Sequence, residues 1–306
     1  MSDFVTRDVA AFLARARGTA TDFGPATARA AFLVAPDGFD LAQQSASDNR
    51  YMAAADAYDA TRALAQHRQL HRALSKALPT VCFPGDPDTP DAVFPNNVFA
   101  TAAGRYVVGR MRHPVRQREA ARADIRGFFG SVLDYAEIDL SPQPHACELT
   151  GALVIDRARG LGFAGLSERC DEEGARLMHA ALGLRATLLF DLAPGEYHTN
   201  VVLAVLAGRT AMICPDGFAD AAVVAAIDSL YAPHSLRLSA REHAAFAGNA
   251  IALGQGQVWM SAGAAQSLEP STRAALAAAG LEVASVDLDA IEVAGGSLRC
   301  CVGEIF

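Results

Sequence analysis

From residue 97 to residue 288 one order of elements keeps returning, and it limits the possible folds more than any other feature of the chain. The run NVFATAAGRYVVGRM reads as two alternating apolar strands around an Ala-Ala-Gly turn, hence a hairpin. A helical stretch follows it from Pro114, where the missing N–H of a proline costs nothing at the first helical position. The hairpin GALVIDRARGLGFAGL leads to a helix over 171–183 and the strand TLLFDL. NVVLAVLAGRTAMICPD leads to a helix over 219–231 and then SLRLS, and NAIALGQGQVWMS to a helix over 270–279 and then LEVASVDL. Helix starts recur roughly every 50 residues, the mark of a repeated supersecondary unit. Such a hairpin–helix–strand unit cannot bury its own sheet face, so the units are expected to close on one another as a ring. Upstream, AFLVA (31–35), a helix over 52–77 and the strand TVCFP fit the same order.

No Pro/Ser-rich linker divides the chain after residue 28, which gives an N-terminal extension over 1–28, read as an appended helix and linker, and one α/β domain over 29–306. A 306-residue chain with 51% hydrophobic residues has ample material for a packed core. Its net charge is −8 and its bases are scattered, so no basic face for nucleic acid or an anionic membrane is visible. No apolar run approaches the roughly 18 residues of a membrane span, and Asp3 and Asp8 interrupt any signal-peptide pattern, so a cytoplasmic location is expected. The six cysteines, Cys82, Cys147, Cys170, Cys214, Cys300 and Cys301, are too few for a disulfide framework in a chain this long. Without a CxxC pair, no metal site is expected.

Four polar islands stand where a hairpin begins or the chain ends: DTPDAVFPNN (88–97), HACELTG (145–151), GEYHTN (195–200) and GGSLRCC (295–301). A thiolate at Cys300, an imidazole at His198 to move protons and a carboxylate at Glu148 to fix the imidazole tautomer form a workable nucleophilic set. Read singly, each has a blander explanation. A cysteine in an apolar segment is usually inert filler, and a histidine at a strand start is usually a surface group.

Together, DTPDAVFPNN, the hairpin Glu followed by TG, YHTNV, FAGN-x-x-x-L and the ending GGS-L-R-C-x-x-x-EIF resemble the guanidino-group-modifying superfamily. That superfamily holds dimethylarginine dimethylaminohydrolase, arginine deiminase, succinylarginine dihydrolase and the amidinotransferases, and the likeness is strongest to the bacterial amidinotransferase-like, citrulline-utilisation hydrolase branch. It runs in order from about Ala31 to Phe306. It implies a five-bladed α/β propeller of ββαβ units, the pentein fold, with Cys300 as nucleophile, His198 as general acid/base and Glu148 as the carboxylate beside it. It also implies that Asp91, near Phe94, grips the terminal nitrogens of a small arginine-like substrate, that Arg116 and Arg169 clamp its α-carboxylate, and that Asn49 belongs to a lid. Cys301 then either packs or modulates the site. Asn96 and Asn97 stand where dimethylarginine hydrolases carry Glu-Asp, and amides, which both donate and accept, suit a neutral ureido group.

The expected function is therefore cysteine-dependent hydrolysis at the terminal carbon of an arginine- or citrulline-like side chain, without cofactor. Transfer of the amidino group to an amine, dimethylarginine hydrolysis and non-catalytic arginine binding are the alternatives. A homodimer is the oligomeric state this reading allows.

Overall fold

The structure is a computed structural model that describes residues 4–41, 43–52, 58–254 and 256–306. Its strands form five separate sheets, each an antiparallel pair, a hairpin in four of them, whose outer strand pairs in parallel with a third. In the first complete blade Phe99–Ala102 pairs with Arg105–Val108, and Ala136–Asp139 adds in parallel. The two-residue turn between the hairpin strands needs Gly104, which sits at φ +70°. The next three blades repeat the order on Leu153–Asp156, Leu203–Leu206 and Ile251–Leu253 as inner strands. The helices Glu172–Leu182, Ala221–Tyr231 and Pro270–Ala278 return the chain to each third strand. Asp171 and Asp220 cap the first two of these helices with their side chains.

The fifth blade closes the ring. The C-terminal strand Gly303–Ile305 pairs antiparallel with Ala30–Val34, which pairs in parallel with Thr80–Phe83. Inner strands touch across blades, Gly303–Ile305 against Phe99–Ala102 and Leu203–Leu206 against both Leu153–Asp156 and Ile251–Leu253. Four apolar clusters fill the spaces around them.

Three expectations need correction. Residues 4–28 are not merely appended: Val5–Thr6 adds a fourth strand to the second blade, and Phe12 on the helix Val9–Arg17 is buried against Phe163 at 5.6 Å between centroids. Loss of such a buried ring costs about 3–5 kcal/mol, so this segment is held by the propeller core. The long helix read from Pro114 is broken into Pro114–Gln117, a 3₁₀ turn at Glu119–Ala121 and Ala123–Gly127. It breaks at Arg122, which leaves helical geometry (ψ 98°) and sends its guanidinium to Asp124 and the Pro84 carbonyl. The helix read over 52–77 spans Ala60–Ala77, Asp59 being its cap, and residues 53–57 lie outside the described residues. No helix among the described residues is long and apolar enough to cross a membrane.

Candidate active site

Three inner strands are entered through a single helical turn that the strand pattern alone does not show: Leu149–Ala152, Thr199–Val202 and Leu298–Cys301. Glu148 and His198 hold the residue ahead of the first two turns, and Cys300 lies within the third. The sequence put Cys300 in a terminal strand, whereas the structure places it one turn before that strand, so its Sγ faces the channel mouth. Leu149, fully buried beside Glu148, is held at φ +29°, a strained conformation for a branched side chain.

His198 Nε2 and Glu148 Oε2 are 2.8 Å apart, and neither side chain is exposed. The second Glu148 oxygen accepts the backbone N–H of Arg112 at 3.0 Å, and Arg169 Nη1 reaches Oε2 at 3.4 Å. Burial works to push the Glu148 carboxyl up, but Arg169 and the His198 hydrogen bond outweigh it and hold it far below the carboxylate range. Glu148 is thus an anion and only accepts, so His198 Nε2 donates and the basic lone pair lies on Nδ1. Nδ1 is buried with no partner among the described residues. Burial lowers the His198 pKa, and the Glu148 charge only partly restores it.

A pocket beside this pair brings Cys300 together with Asp91, Phe94, Asn97, Asn49, Arg116 and Arg169; neither His198 nor Glu148 lines it, and Arg169 links the two through its contact with Glu148. Cys300 Sγ lies 3.3 Å from Asn249 Nδ2 and 3.7 Å from Asn200 Oδ1. Burial pushes its thiol up, against the Asn249 hydrogen bond. Asp91 accepts the Ser45 hydroxyl, and burial raises its carboxyl in spite of Arg116. Asn97 Oδ1 and both ends of the Asn96 amide are buried without partners among the described residues, and of the two residues Asn97 lines the pocket while Asn96 does not. Gly151 keeps two of these groups together: a Cβ there would lie 2.6 Å from Asn97 Oδ1 and 2.9 Å from His198 Nδ1. Asn49, buried on the segment 43–52, is received by Gly295, where a Cβ would fall 2.4 Å from the Asn49 amide.

The two arginines line the pocket, but neither presents an open fork. Arg116 Nε and Nη2 bind both Glu119 oxygens at 2.8 and 2.9 Å, and Nη2 also donates to the Phe94 carbonyl. Arg169 Nε lies 3.0 Å from Asp48 Oδ2, and its Nη2 donates to the Ser45 carbonyl at 3.0 Å. Both forks are engaged by the chain's own carboxylates, that of Arg116 by Glu119 and that of Arg169 by Asp48. Desolvating two bare guanidinium groups is costly, which is why internal carboxylates accompany them.

Cys301 is fully buried in the apolar cluster with Leu298 and Val302, away from the pocket lining. All six cysteines are free, and no group of three or more His, Cys, Asp or Glu among the described residues is placed to hold a metal ion. Sequence reasoning passed over Asn200, Asn249 and Asp48. The first two stood in the strings YHTN and FAGN, Asn200 beside His198 and Asn249 at the entrance of the fourth blade. Position in the repeat was the signal that could have found them.

The chain matches the family model described as N,N dimethylarginine dimethylhydrolase, eukaryotic, over residues 35–306. It is 30% identical over 216 residues to the N(G),N(G)-dimethylarginine dimethylaminohydrolase of Mycobacterium tuberculosis (strain ATCC 25618 / H37Rv), covering 71% of this chain and 66% of that protein. Among solved structures it is similar to the N-terminal domain of ArgZ, a cyanobacterial arginine dihydrolase, bound to product (TM-score 0.79, 21% identity, 90% of this chain and 97% of that one). It is also similar to a dimethylarginine dimethylaminohydrolase adduct with S-methyl-L-thiocitrulline (TM-score 0.70, 20% identity, 91% of this chain and 100% of that one). These likenesses show the five-bladed propeller fold. With the family match spanning nearly the whole propeller, the chain belongs to the N,N-dimethylarginine dimethylhydrolase family.

Proposed function

We propose that this protein is a cysteine-dependent hydrolase that cleaves a terminal carbon–nitrogen bond of the guanidino group of an arginine-like amino acid. The observation that carries the reading is the convergence of Cys300, Asp91 and Asn97 on one pocket backed by the buried His198–Glu148 pair. A guanidinium entering the pocket meets the Asp91 carboxyl and brings positive charge to the Cys300 sulfur, favouring the thiolate that burial otherwise resists. The Cys300 thiol gives its proton to His198 Nδ1 and Sγ attacks the guanidino carbon; a carbon–nitrogen bond then breaks, and the departing ammonia or amine takes that proton from Nδ1. Water then attacks the thiouronium adduct, His198 accepts its proton through Nδ1, and the carbon–sulfur bond breaks to return the thiolate and a ureido product. The relatives divide between methylated arginine and arginine, as a dimethylaminohydrolase and an arginine dihydrolase.

Asn97 Oδ1, on the pocket and unpartnered among the described residues, favours a second reading at the level of substrate, in which the ureido product, whose N–H groups it can accept, is itself held and hydrolysed. The test is the amount of ammonia and of dimethylamine released per substrate consumed, from arginine, dimethylarginine and citrulline. Cys300→Ser is expected to abolish turnover with the fold intact, and Cys301→Ser to retain most of it. An active Cys300→Ser variant would overturn the nucleophile. One ammonia per arginine, with citrulline accumulating unused, would leave a single hydrolysis and remove the ureido reading.

A further inference from the structure

The reaction above leaves unused a set of buried polar side chains at the blade entrances. Thr150, Asn200 and Asn249 are 5%, 1% and 0% exposed. They are chained around the channel. Asn249 Nδ2 donates to the Asn200 carbonyl at 2.9 Å, Asn200 Nδ2 to the Thr150 carbonyl at 3.1 Å, and Thr150 Oγ1 to the Asn96 carbonyl at 3.0 Å. Four successive blades are linked in this way, and the fifth contributes Cys300, which closes the chain through the 3.3 Å contact from Asn249 Nδ2 to Sγ.

The orientation of the Asn249 amide follows from its partners. The Asn200 backbone carbonyl only accepts, so the Asn249 atom facing it is the nitrogen. That nitrogen has a second hydrogen, with the sulfur of Cys300 at 3.3 Å and Asn200 Oδ1 at 3.4 Å within its reach, and 3.3 Å is the closer approach for an acceptor as large as sulfur. The price is an Asn249 Oδ1 that is buried with no partner among the described residues, a cost that packing alone gives no reason to keep. On the other side of the sulfur, Asn200 Oδ1 at 3.7 Å is placed to accept from a thiol. The two amides thus serve the two protonation states, Asn200 the thiol and Asn249 the thiolate. Among the described residues no charged side chain is hydrogen-bonded to this sulfur, and Asn249 is its side-chain donor, beside a backbone hydrogen bond from Ser297.

We propose that Asn249 is a positioning residue for the reaction, holding the Cys300 sulfur through its Nδ2–H and stabilising the thiolate, with Asn200 fixing the orientation of the Asn249 amide. The inference rests on Cys300 being the nucleophile.

The test is the pH dependence of Cys300 alkylation by iodoacetamide, followed by mass spectrometry of the peptide that carries it, in wild type, Asn249→Ala and Asn249→Asp, with circular dichroism as the control for folding. Loss of the donor in Asn249→Ala is expected to move the alkylation midpoint up by about one pH unit, equivalent to a tenfold loss of thiolate at a given pH below the midpoint. Asn249→Asp, which keeps the shape but sets an anion against the sulfur, is expected to move it further. kcat/KM at pH 7 should fall about tenfold for Asn249→Ala, with KM changed less than twofold. Asn249→Ser, whose hydroxyl is too short to reach the sulfur, replaces the alanine variant if that does not fold and carries the same expectation. An unchanged midpoint in a folded variant, whatever happens to activity, would overturn the proposal and leave Asn249 as a packing residue. Cys300→Ser assayed in parallel separates the two levels: if it stays active, the nucleophile assignment fails, and with it the premise rather than the Asn249 contact.

Discussion

His198 and Glu148 meet at 2.8 Å with no solvent on either side chain, so the charge of one sets the basicity of the other. Burial lowers the His198 pKa and the Glu148 anion pulls it partly back. The histidine must be neutral to take a proton from water, so the acid limb of the kcat profile is expected below pH 6.5, the ordinary imidazole value. Glu148→Gln removes the anion and is expected to move that limb lower still while reducing kcat about 10²-fold or more. Rate–pH profiles of both proteins check the shift, and a limb that moves upward would contradict the assignment.

Gly151 is the contact point between His198 and Asn97. Its added Cβ would sit 2.6 Å from Asn97 Oδ1 and 2.8 Å from His198 Cε1, in a helical turn whose backbone accepts alanine. Gly151→Ala is expected to fold with a loss of about 1–3 kcal/mol from overpacking, and to lose at least tenfold in kcat because both side chains must shift. Urea unfolding and steady-state kinetics together separate the two effects.

Asp48 fills the Arg169 fork that an α-carboxylate would need, while also accepting from His113 Nε2 at 3.0 Å. Asp48→Asn is expected to lower KM for arginine relative to agmatine, which has no carboxylate to gain from the freed guanidinium. Equal changes for the two compounds would show that Arg169 serves the segment 43–52 and Glu148 rather than the substrate.

His67, buried on the helix Ala60–Ala77 with an Nε2 that has no partner among the described residues, has its pKa lowered to about 4 by desolvation and by His71 nearby. A histidine with a depressed folded pKa gives stability that is full above about pH 6.5 and is lost as pH falls toward 4, because the unfolded chain binds the proton first. Between pH 7 and pH 5 this residue should cost about 2 kcal/mol. Urea midpoints at the two pH values, in wild type and His67→Leu, should show a smaller pH difference in the variant.

The sequence by itself determined the units and their contents. Alternating apolar residues, glycine turns such as Gly104 and the acidic helix caps Asp171 and Asp220 are local signals, and each acts within a few residues of its own position. They made the hairpins, the returning helices and the polar islands at blade entrances legible, with Glu148, His198 and Cys300 among them. Only the tertiary structure decided what those islands do to one another. The strand Gly303–Ile305 closes the ring on Ala30–Val34, far away in the chain, and that pairing brings Cys300 beside Asn249 and Asn200. The helix break at Arg122, whose guanidinium reaches the Pro84 carbonyl, likewise answers to a distant partner rather than to local preference. Asp48 in the fork of Arg169 links residues 121 positions apart. Periodicity records which face of an element is apolar, whereas the partner of a buried charge is fixed by desolvation, which exists only once the chain has closed around it.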